Sequence, residues 1–575
     1  MLSSSDDAWR GPCVPGAVRK LFFSTSLWFL ATLAFPNLGF AAPTVTILSP
    51  KGSSNSGSPV FYEAYATSPS CASGINAMRI YTAPGVSAYT VYGAHIETFV
   101  SLSAGSYSTV VQAWDNCGGV GKTTVDVTVN SNAGVSVFLP QSSSADIPVH
   151  IAASAQNPEC PAGINAIRIY TGNGIAPYTV ESDQVNTFVN LLPGRYDLTV
   201  QAWDNCGHVY KAPLAETAAG AADGYLYAES GESSGTYIAE FNVSNGVLTN
   251  PNGSGNPPLF PVAIGADPIA IDPGGWFVYV GTFHGIYGFQ IDQSNGNLAA
   301  MPGSPFSRNG SDPSDIAVDP NGNFLLVASL SSSSNTVEVF QINRSSGALT
   351  QTASATATGL VAITPDFTGQ YVYGLTQNET SAAIWGYAID QNNGALTPIA
   401  GSPYTILNAS YGKALTATML PSGSPASPLL YAQSVFPSFP LAGYAVDYGT
   451  GALTAVPGSP FPFDQSLALL ADNQEKWVWS ATTGDWFDFA AIGSNGTLGP
   501  TQEVTDNLYN LALAEDGTGL YLYAGGSTGD DCLSGSGAVS SWTVSGGKPV
   551  LLSGPLENGL GHCAGPVAAA PKHGD

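Results

Sequence analysis

Residues Gly288 to Phe306 read GFQIDQSNGNLAAMPGSPF, and versions of this stretch return through the C-terminal two thirds of the chain. The nearest copies are GYAIDQNNGALTPIAGSPY from Gly386 to Tyr404 and GYAVDYGTGALTAVPGSPF from Gly443 to Phe461, with VFQINRSSGALTQ from Val339 to Gln351. Weaker copies start at Ala239 (AEFNVSNGVLTN), Phe487 (FDFAAIGSNGTLGPT) and Ser541 (SWTVSGGKPVLLS), which makes seven. Each copy runs from an alternating apolar strand through an Asn/Ser/Gly-rich turn into a second short strand, the pattern of a β-hairpin.

Around these hairpins, aromatic or apolar runs at Tyr225, Phe277, Phe324, Tyr371, Leu430, Trp477 and Leu520 recur every 43 to 59 residues. A four-stranded propeller blade takes about 40 to 50 residues. Within a unit an inner strand such as DIAVD (Asp315 to Asp319) leads through a Pro-Asn-Gly turn to a second strand and then the hairpin. No single unit can bury both its faces, so the units must stack around an axis. The domain opens on GYLYA at Gly224, a second strand lacking its inner strand, and ends on GPVAAAP at Gly565, an inner strand lacking its successor. Together they make one shared closing blade, which removes a free sheet edge.

Seven units with an Asp-Pro-Asn-Gly turn (Asp319 to Gly322) and a hairpin running from Ile291-Asp292 to Gly296-Asn297-Leu298 resemble the seven-bladed lactonase-like propellers, the group that includes 6-phosphogluconolactonase. The resemblance spans residues 224–572. It implies a central channel in which basic and imidazole side chains hold an acidic sugar lactone. The inner-strand openings depart from that pattern: Ala266-Asp267-Pro268, Ser311-Asp312-Pro313, Gly412-Lys413-Ala414, Asp464-Gln465-Ser466, Asn507-Leu508-Tyr509 and Ala564-Gly565-Pro566. Only Arg308, Arg344, Lys413, Lys476, Lys548 and Lys572 are basic in this domain, an unfavourable field for a phosphorylated, carboxylated substrate.

Before the propeller, residues 43–130 and 134–213 repeat each other at an offset of 89: GINAMRIYT from Gly74 matches GINAIRIYT from Gly163, and QAWDNCG occurs at Gln112 and again at Gln201. Strands such as Tyr107, Thr109, Val111 and Ala113 alternate with a period of two, and short strands over about 85 residues read as a small β-sandwich. Both copies resemble the immunoglobulin-like modules of bacterial surface and secreted proteins. The expected fold is all-β: two tandem immunoglobulin-like sandwiches, a linker at 214–223 and a seven-bladed propeller.

Arg10, Arg19 and Lys20 precede an apolar run from Leu21 to Phe35, and the small residues Gly39 and Ala41 fit cleavage before Ala42, so residues 1–41 read as an export signal. The run is shorter than the roughly 20 residues that span a bilayer. Cys13 would leave with it, and six cysteines remain. An even count in an exported chain implies disulfides. Cys71 and Cys117, like Cys160 and Cys206, stand 46 residues apart at equivalent places, which predicts one bridge per sandwich; Cys532 and Cys563 are the remaining pair. The expected location is secreted, periplasmic or cell-surface.

The chain has 575 residues, of which 41 are acidic and 15 basic, a net charge of −26. Without clustered Lys and Arg, nucleic acid and anionic membranes are unsuited partners. Asp115-Asn116 and Asp204-Asn205 could offer oxygens to Ca²⁺, but Asn and Asp followed at once by Cys and Gly are better read as turn caps, and no cofactor or metal is expected. Two functions compete. The preferred one is a binding or scaffold module for a glycan, an envelope polymer or another protein, with Asp267, Asp312, Tyr411, Lys413 and Tyr509 at the ligand-binding face. The alternative is hydrolysis of a neutral lactone or ester, with His562 (or His284) as general base and Asp267 or Asp312 to orient it.

Overall fold

The computed structural model describes residues 41–572 except 53, 143, 173–176, 220–222, 233–234, 254–255, 264–267, 311, 331–336, 358, 379–380, 407–408, 421–426, 437–439, 464–465, 473, 475, 483, 485, 507, 530–535, 545–548 and 558–562. Among the described residues there is no helix, and so none that could cross a membrane.

Each N-terminal module pairs a three-stranded sheet with a five-stranded one. In the first, Val60–Thr67 lies between Thr44–Ser49 and His95–Val100, and the second sheet runs Ser54–Ser56, Val120–Val129, Gly105–Asp115, Ile75–Tyr81, Tyr89–Val91. The period of two in Gly105–Asp115 turns Thr109, Val111 and Ala113 into the core, where they meet Phe61, Tyr62, Met78 and Ile96. The buried Tyr62 hydroxyl is satisfied by Thr109 at 3.0 Å. The second module repeats the arrangement, with Val149–Gln156 central in one sheet and Gly194–Asp204 central in the other. Its last strand is Val209–Ala218, paired with Gly194–Asp204 from Ala218 to Val209, so the sandwich takes up five residues expected in the 214–223 linker. Those small residues alternate in burial along a partner strand and continue the ladder instead of ending it.

The remaining chain forms seven sheets of four or five strands. The closing sheet pairs Cys563–Pro571 with Gly224–Glu232, Gly224 facing Pro571, as the complementary ends predict. In every other blade the inner strand comes first, as in Pro313–Val318, Phe324–Ser329, Val337–Ile342 and Leu349–Ala355. The turn after the inner strand is held by a buried aspartate. Oδ1 of Asp319 accepts the N–H groups of Asn323 (2.7 Å) and Phe324 (2.6 Å), and Oδ1 of Asp272 those of Trp276 and Phe277.

The Gly288–Phe306 stretch is more than a hairpin. Leu298–Ala300 pairs with the end of Gly285–Ile291, the chain then turns back, and Phe306 bridges to Ile286. Between the two contacts the Gly288 N–H donates to the Ser304 hydroxyl at 3.0 Å, and Gly386 to Ser402 and Gly443 to Ser459 repeat this bond. A Cβ on Gly288 would come within 2.8 Å of the Phe306 ring and 2.9 Å of the Met301 sulfur, which explains the glycine that opens the motif.

The sandwiches contact the propeller where its inner strands end. Phe188 and Asn321 exchange two hydrogen bonds, Phe188 N–H to the Asn321 carbonyl (3.3 Å) and Asn321 Nδ2 to the Phe188 carbonyl (2.9 Å). Ala94 N–H donates to Gln290 Oε1 at 2.7 Å, and Asn323 Nδ2 to the Tyr178 hydroxyl at 3.3 Å. The inner strands therefore begin on the side away from these contacts.

Candidate functional site in the propeller channel

The inner strands share one irregularity. Pairing with the second strand shifts register between Pro313 and Asp315, Leu360 and Ala362, Gly412 and Ala414, Ser466 and Ala468, and Asn510 and Ala512. An extra residue at the same place in five consecutive blades is a ring of β-bulges, a device that re-aims side chains and is enriched beside binding sites. After the bulge four blades place alanine, Ala362, Ala414, Ala468 and Ala512. The third blade places Asp315.

All seven blades line one cavity of 640 Å³ at this ring. Its polar arc comes from the third to fifth blades: Asp312, Ser314, Asp315, Gln377 and Lys413. The opposite arc is apolar, with Leu467, Leu469, Leu513, Val567 and Ile269. Ser314 donates to the Leu360 carbonyl at 2.6 Å, and Asp315 Oδ2 accepts the Ile363 N–H at 2.8 Å. Withdrawal from water raises the pKa of Asp315 to about 7, against the opposing pull of the Ile363 and Ile316 N–H groups. A carboxyl that titrates near neutrality can act as a proton acceptor or as a neutral hydrogen-bond donor.

The family matched by residues 239–364 is described as "Lactonase, 7-bladed beta-propeller", and the match runs from the third strand of the closing blade to the inner strand of the fourth. The C-terminal domain is a lactonase-type seven-bladed propeller. Similar solved structures include a Bacteroides fragilis protein provisionally named a 6-phosphogluconolactonase (15% identity, TM-score 0.43, covering 61% of this chain and 98% of that one). A periplasmic gluconolactonase of Pseudomonas aeruginosa is also similar (13% identity, TM-score 0.31, 49% and 96% covered). So is a functionally unknown protein of Desulfotomaculum acetoxidans (13% identity, TM-score 0.44, 60% and 99% covered). No curated protein matches the chain.

In the lactonase-type propeller Asp312 and Lys413 reach the cavity and Asp267 and His562 lie outside the described residues. Tyr411 and Tyr509 are not among the lining residues. Tyr411 takes a left-handed conformation (φ 53°) just before the Lys413 bulge and donates its N–H to the Asn378 carbonyl at 2.8 Å. Tyr509 opens the inner strand Tyr509–Glu515, opposite Ser527. His284 is exposed in the turn between Phe277–Thr282 and Gly285–Ile291, its N–H on the Thr282 hydroxyl at 3.1 Å, and it does not line the cavity. The alternation of DIAVD does not set Asp315 apart from any other inner-strand residue. The visible signal was an acid aligned with alanine in four other blades.

In the sandwiches the bridges Cys71–Cys117 and Cys160–Cys206 are formed, as bonds that form and persist in oxidising compartments. Cys532 and the side chain of Cys563 lie outside the described residues. Asp115 is a turn cap: Oδ1 accepts Cys117 N–H (3.0 Å) and Gly119 N–H (2.6 Å), and Oδ2 the Ser68 hydroxyl (2.8 Å). Asp204 is held likewise by Cys206, His208 and Asn157. Trp114 and Trp203 each stand under an arginine, Arg79 and Arg168 at 5.9 and 5.6 Å, so part of each ring is covered within its own module.

Proposed function

We propose that this chain is an exported binding module whose propeller channel holds a compact ligand with one polar and one apolar face, such as a sugar unit of an envelope glycan. The observation that carries the reading is the divided lining of the 640 Å³ cavity, with Asp312, Asp315, Gln377 and Lys413 facing Leu467, Leu469 and Leu513. Ligand sites in general combine an apolar wall with a few convergent polar groups. Export is supported by the apolar run from Leu21 to Phe35 and by the two sandwich disulfides. The sandwiches then act as stapled spacers that present the face where the inner strands begin. Calorimetric titration of the tag-free chain with neutral and acidic oligosaccharides from envelope polymers tests this. Saturable binding that falls at least roughly tenfold in Lys413→Ala/Asp315→Asn is expected, and equal binding by that variant would overturn the site.

Asp315 favours a second reading, hydrolysis of a neutral lactone. Its carboxylate would take a proton from water as the oxygen attacks the lactone carbonyl, and return it to the ring oxygen as the acyl C–O bond breaks, leaving a hydroxy acid. Acid release from neutral lactones that disappears in Asp315→Asn supports this reading, and release unchanged by that substitution removes it.

A further inference from the structure

We propose that Glu63, His95, Glu97 and His150 form a divalent-metal site of the zinc class where the two sandwiches meet the propeller. Glu63 and Glu97 face each other directly across the pair Val60–Thr67 and His95–Val100, and His95 lies two residues before Glu97 on the same face. The donor atoms of Glu63, His95 and Glu97 lie within 4.8 Å of one another, and all three residues are buried. Like charges directly opposite in a sheet are destabilising, the more so out of water. Arg344 answers one of them, its Nε 3.0 Å from Glu97 Oε1, and the other is left to the imidazoles of His95 and His150 or to a bound cation.

The hydrogen bonds leave two imidazoles facing two carboxylates without a donor bond between them. His95 is completely buried and neither ring nitrogen has a hydrogen-bond partner; Nε2 faces Glu63 Oε1 at 3.5 Å and Glu97 Oε2 at 4.0 Å. Asn186 gives its Nδ2 to Glu97 Oε1, so its Oδ1 is what meets His150 Nε2 at 2.7 Å, and that nitrogen must carry the proton. In the neutral ring His150 Nδ1 then turns a lone pair toward Glu63 Oε2 at 3.7 Å. With neutral imidazoles these contacts hold no positive charge of their own, and a cation seated between them supplies it. In a tetrahedral site with bonds of about 2.0 to 2.2 Å, donor atoms stand roughly 3.3 to 3.6 Å apart, so donors of Glu63, His95 and Glu97 that lie within 4.8 Å of one another, with His150 Nδ1 at 3.7 Å from Glu63, must draw together by up to about an ångström on binding. Mixed imidazole and carboxylate donors suit zinc or a neighbouring first-row ion.

Packing fixes the ring planes. His95 stacks on Trp276 of the propeller at 4.0 Å, and His150 on Phe188 at 4.5 Å. A cavity of 260 Å³ bounded by Glu63, His150, Phe188 and Trp276 continues to the exposed Lys51, Gln141 and Asp146, a path for an ion. The second sandwich has Ala152, Gln184 and Asn186 where the first has Glu63, His95 and Glu97, in the same register, so the fold itself does not require ionisable groups there. An ion held by these four residues would tie one sandwich to the other beside the propeller.

The test is metal analysis of the tag-free full chain after dialysis against a chelator and reconstitution with Zn²⁺ or Co²⁺. About one equivalent of metal is expected, with Co²⁺ giving visible d–d bands, and Glu63→Gln and His150→Gln each weakening uptake roughly tenfold or more. His150→Gln, at a partly exposed position, keeps the test decisive where substitution of His95 disrupts folding. Uptake by the folded wild-type chain below about a tenth of an equivalent, or a full equivalent retained by His95→Gln/His150→Gln, would overturn the proposal.

Discussion

The hydroxyl of Tyr279 in the second blade donates to the carbonyl of Gly347, in the hairpin turn of the third blade, at 2.8 Å. The same bond joins Tyr227 to Gly296 (2.6 Å), Tyr373 to Gly451 (2.6 Å) and Tyr431 to Gly496 (2.8 Å). The repeated hairpin turn, an Asn, Ser or Thr followed by Gly, is thus the socket for the preceding blade's tyrosine. Tyr279→Phe removes the donor and strands a buried carbonyl, so a loss of about 1 to 2 kcal/mol is expected in urea unfolding, with the far-ultraviolet spectrum unchanged. A loss below experimental error would show that the bond does not contribute to stability.

Glu240, completely buried in the first blade, has both carboxyl oxygens without a hydrogen-bond partner. Burial, and then the nearby Asp292 charge, raise its pKa to about 8. The folded chain therefore keeps a proton that the unfolded chain has released above its ordinary value of about 4.3. Stability is full below that value and is lost as pH rises through 8. Glu240→Gln should match the wild type near pH 4 and exceed it at pH 7 by an amount on the order of 3 to 4 kcal/mol, read from melts across that range.

For Asp315 the direction is the same. Asp315→Asn keeps an acceptor for the Ile363 N–H and removes the titration, so the pH dependence of stability between about pH 4 and 7 should flatten. A slope as steep as that of the wild type would place the titrating group elsewhere.

Arg344 ties three parts of the chain. It bonds Glu97 at 3.0 Å and the Asn321 and Gly322 carbonyls at 3.1 Å each, and its guanidinium stands 4.6 Å from the Phe188 ring centre. Arg344→Met leaves Glu97 buried beside Glu63 without its cation, and breaking such a pair costs about 3 to 5 kcal/mol. Limited proteolysis should then cut between the second sandwich and the propeller sooner than in the wild type, whereas an unchanged digestion pattern would exclude this residue as the tie.

Each sandwich disulfide closes a separation of 46 residues. Cys71→Ser/Cys117→Ser should destabilise the first module by about 3 to 4 kcal/mol in the chain-entropy picture, measured by denaturant unfolding under non-reducing conditions.

The architecture was legible because repetition writes it many times over. Seven copies of one hairpin count the blades, half-blades at Gly224 and Gly565 announce the closure, and an 89-residue offset pairs the sandwich cysteines. The junction was not legible. Glu97 and Arg344 are separated by 247 residues and belong to elements of different period, so no local pattern links them. The channel was half legible. Repeat phase points to Asp312 and Lys413, which line the cavity, and to Tyr411 and Tyr509, which do not, because a bulge interrupts the alternation between Gly412 and Ala414 and between Asn510 and Ala512; the ordinary alternation of DIAVD hides Asp315.

The antiparallel closing pair sets Gly224 opposite Pro571, so both strand ends of the propeller emerge at one end of a single sheet. Tension applied between those two points loads the ladder one rung at a time, in a peeling geometry, and not all rungs together in shear. A pull transmitted between Gly224 and Pro571 would therefore open the seam that seals the ring before any other blade.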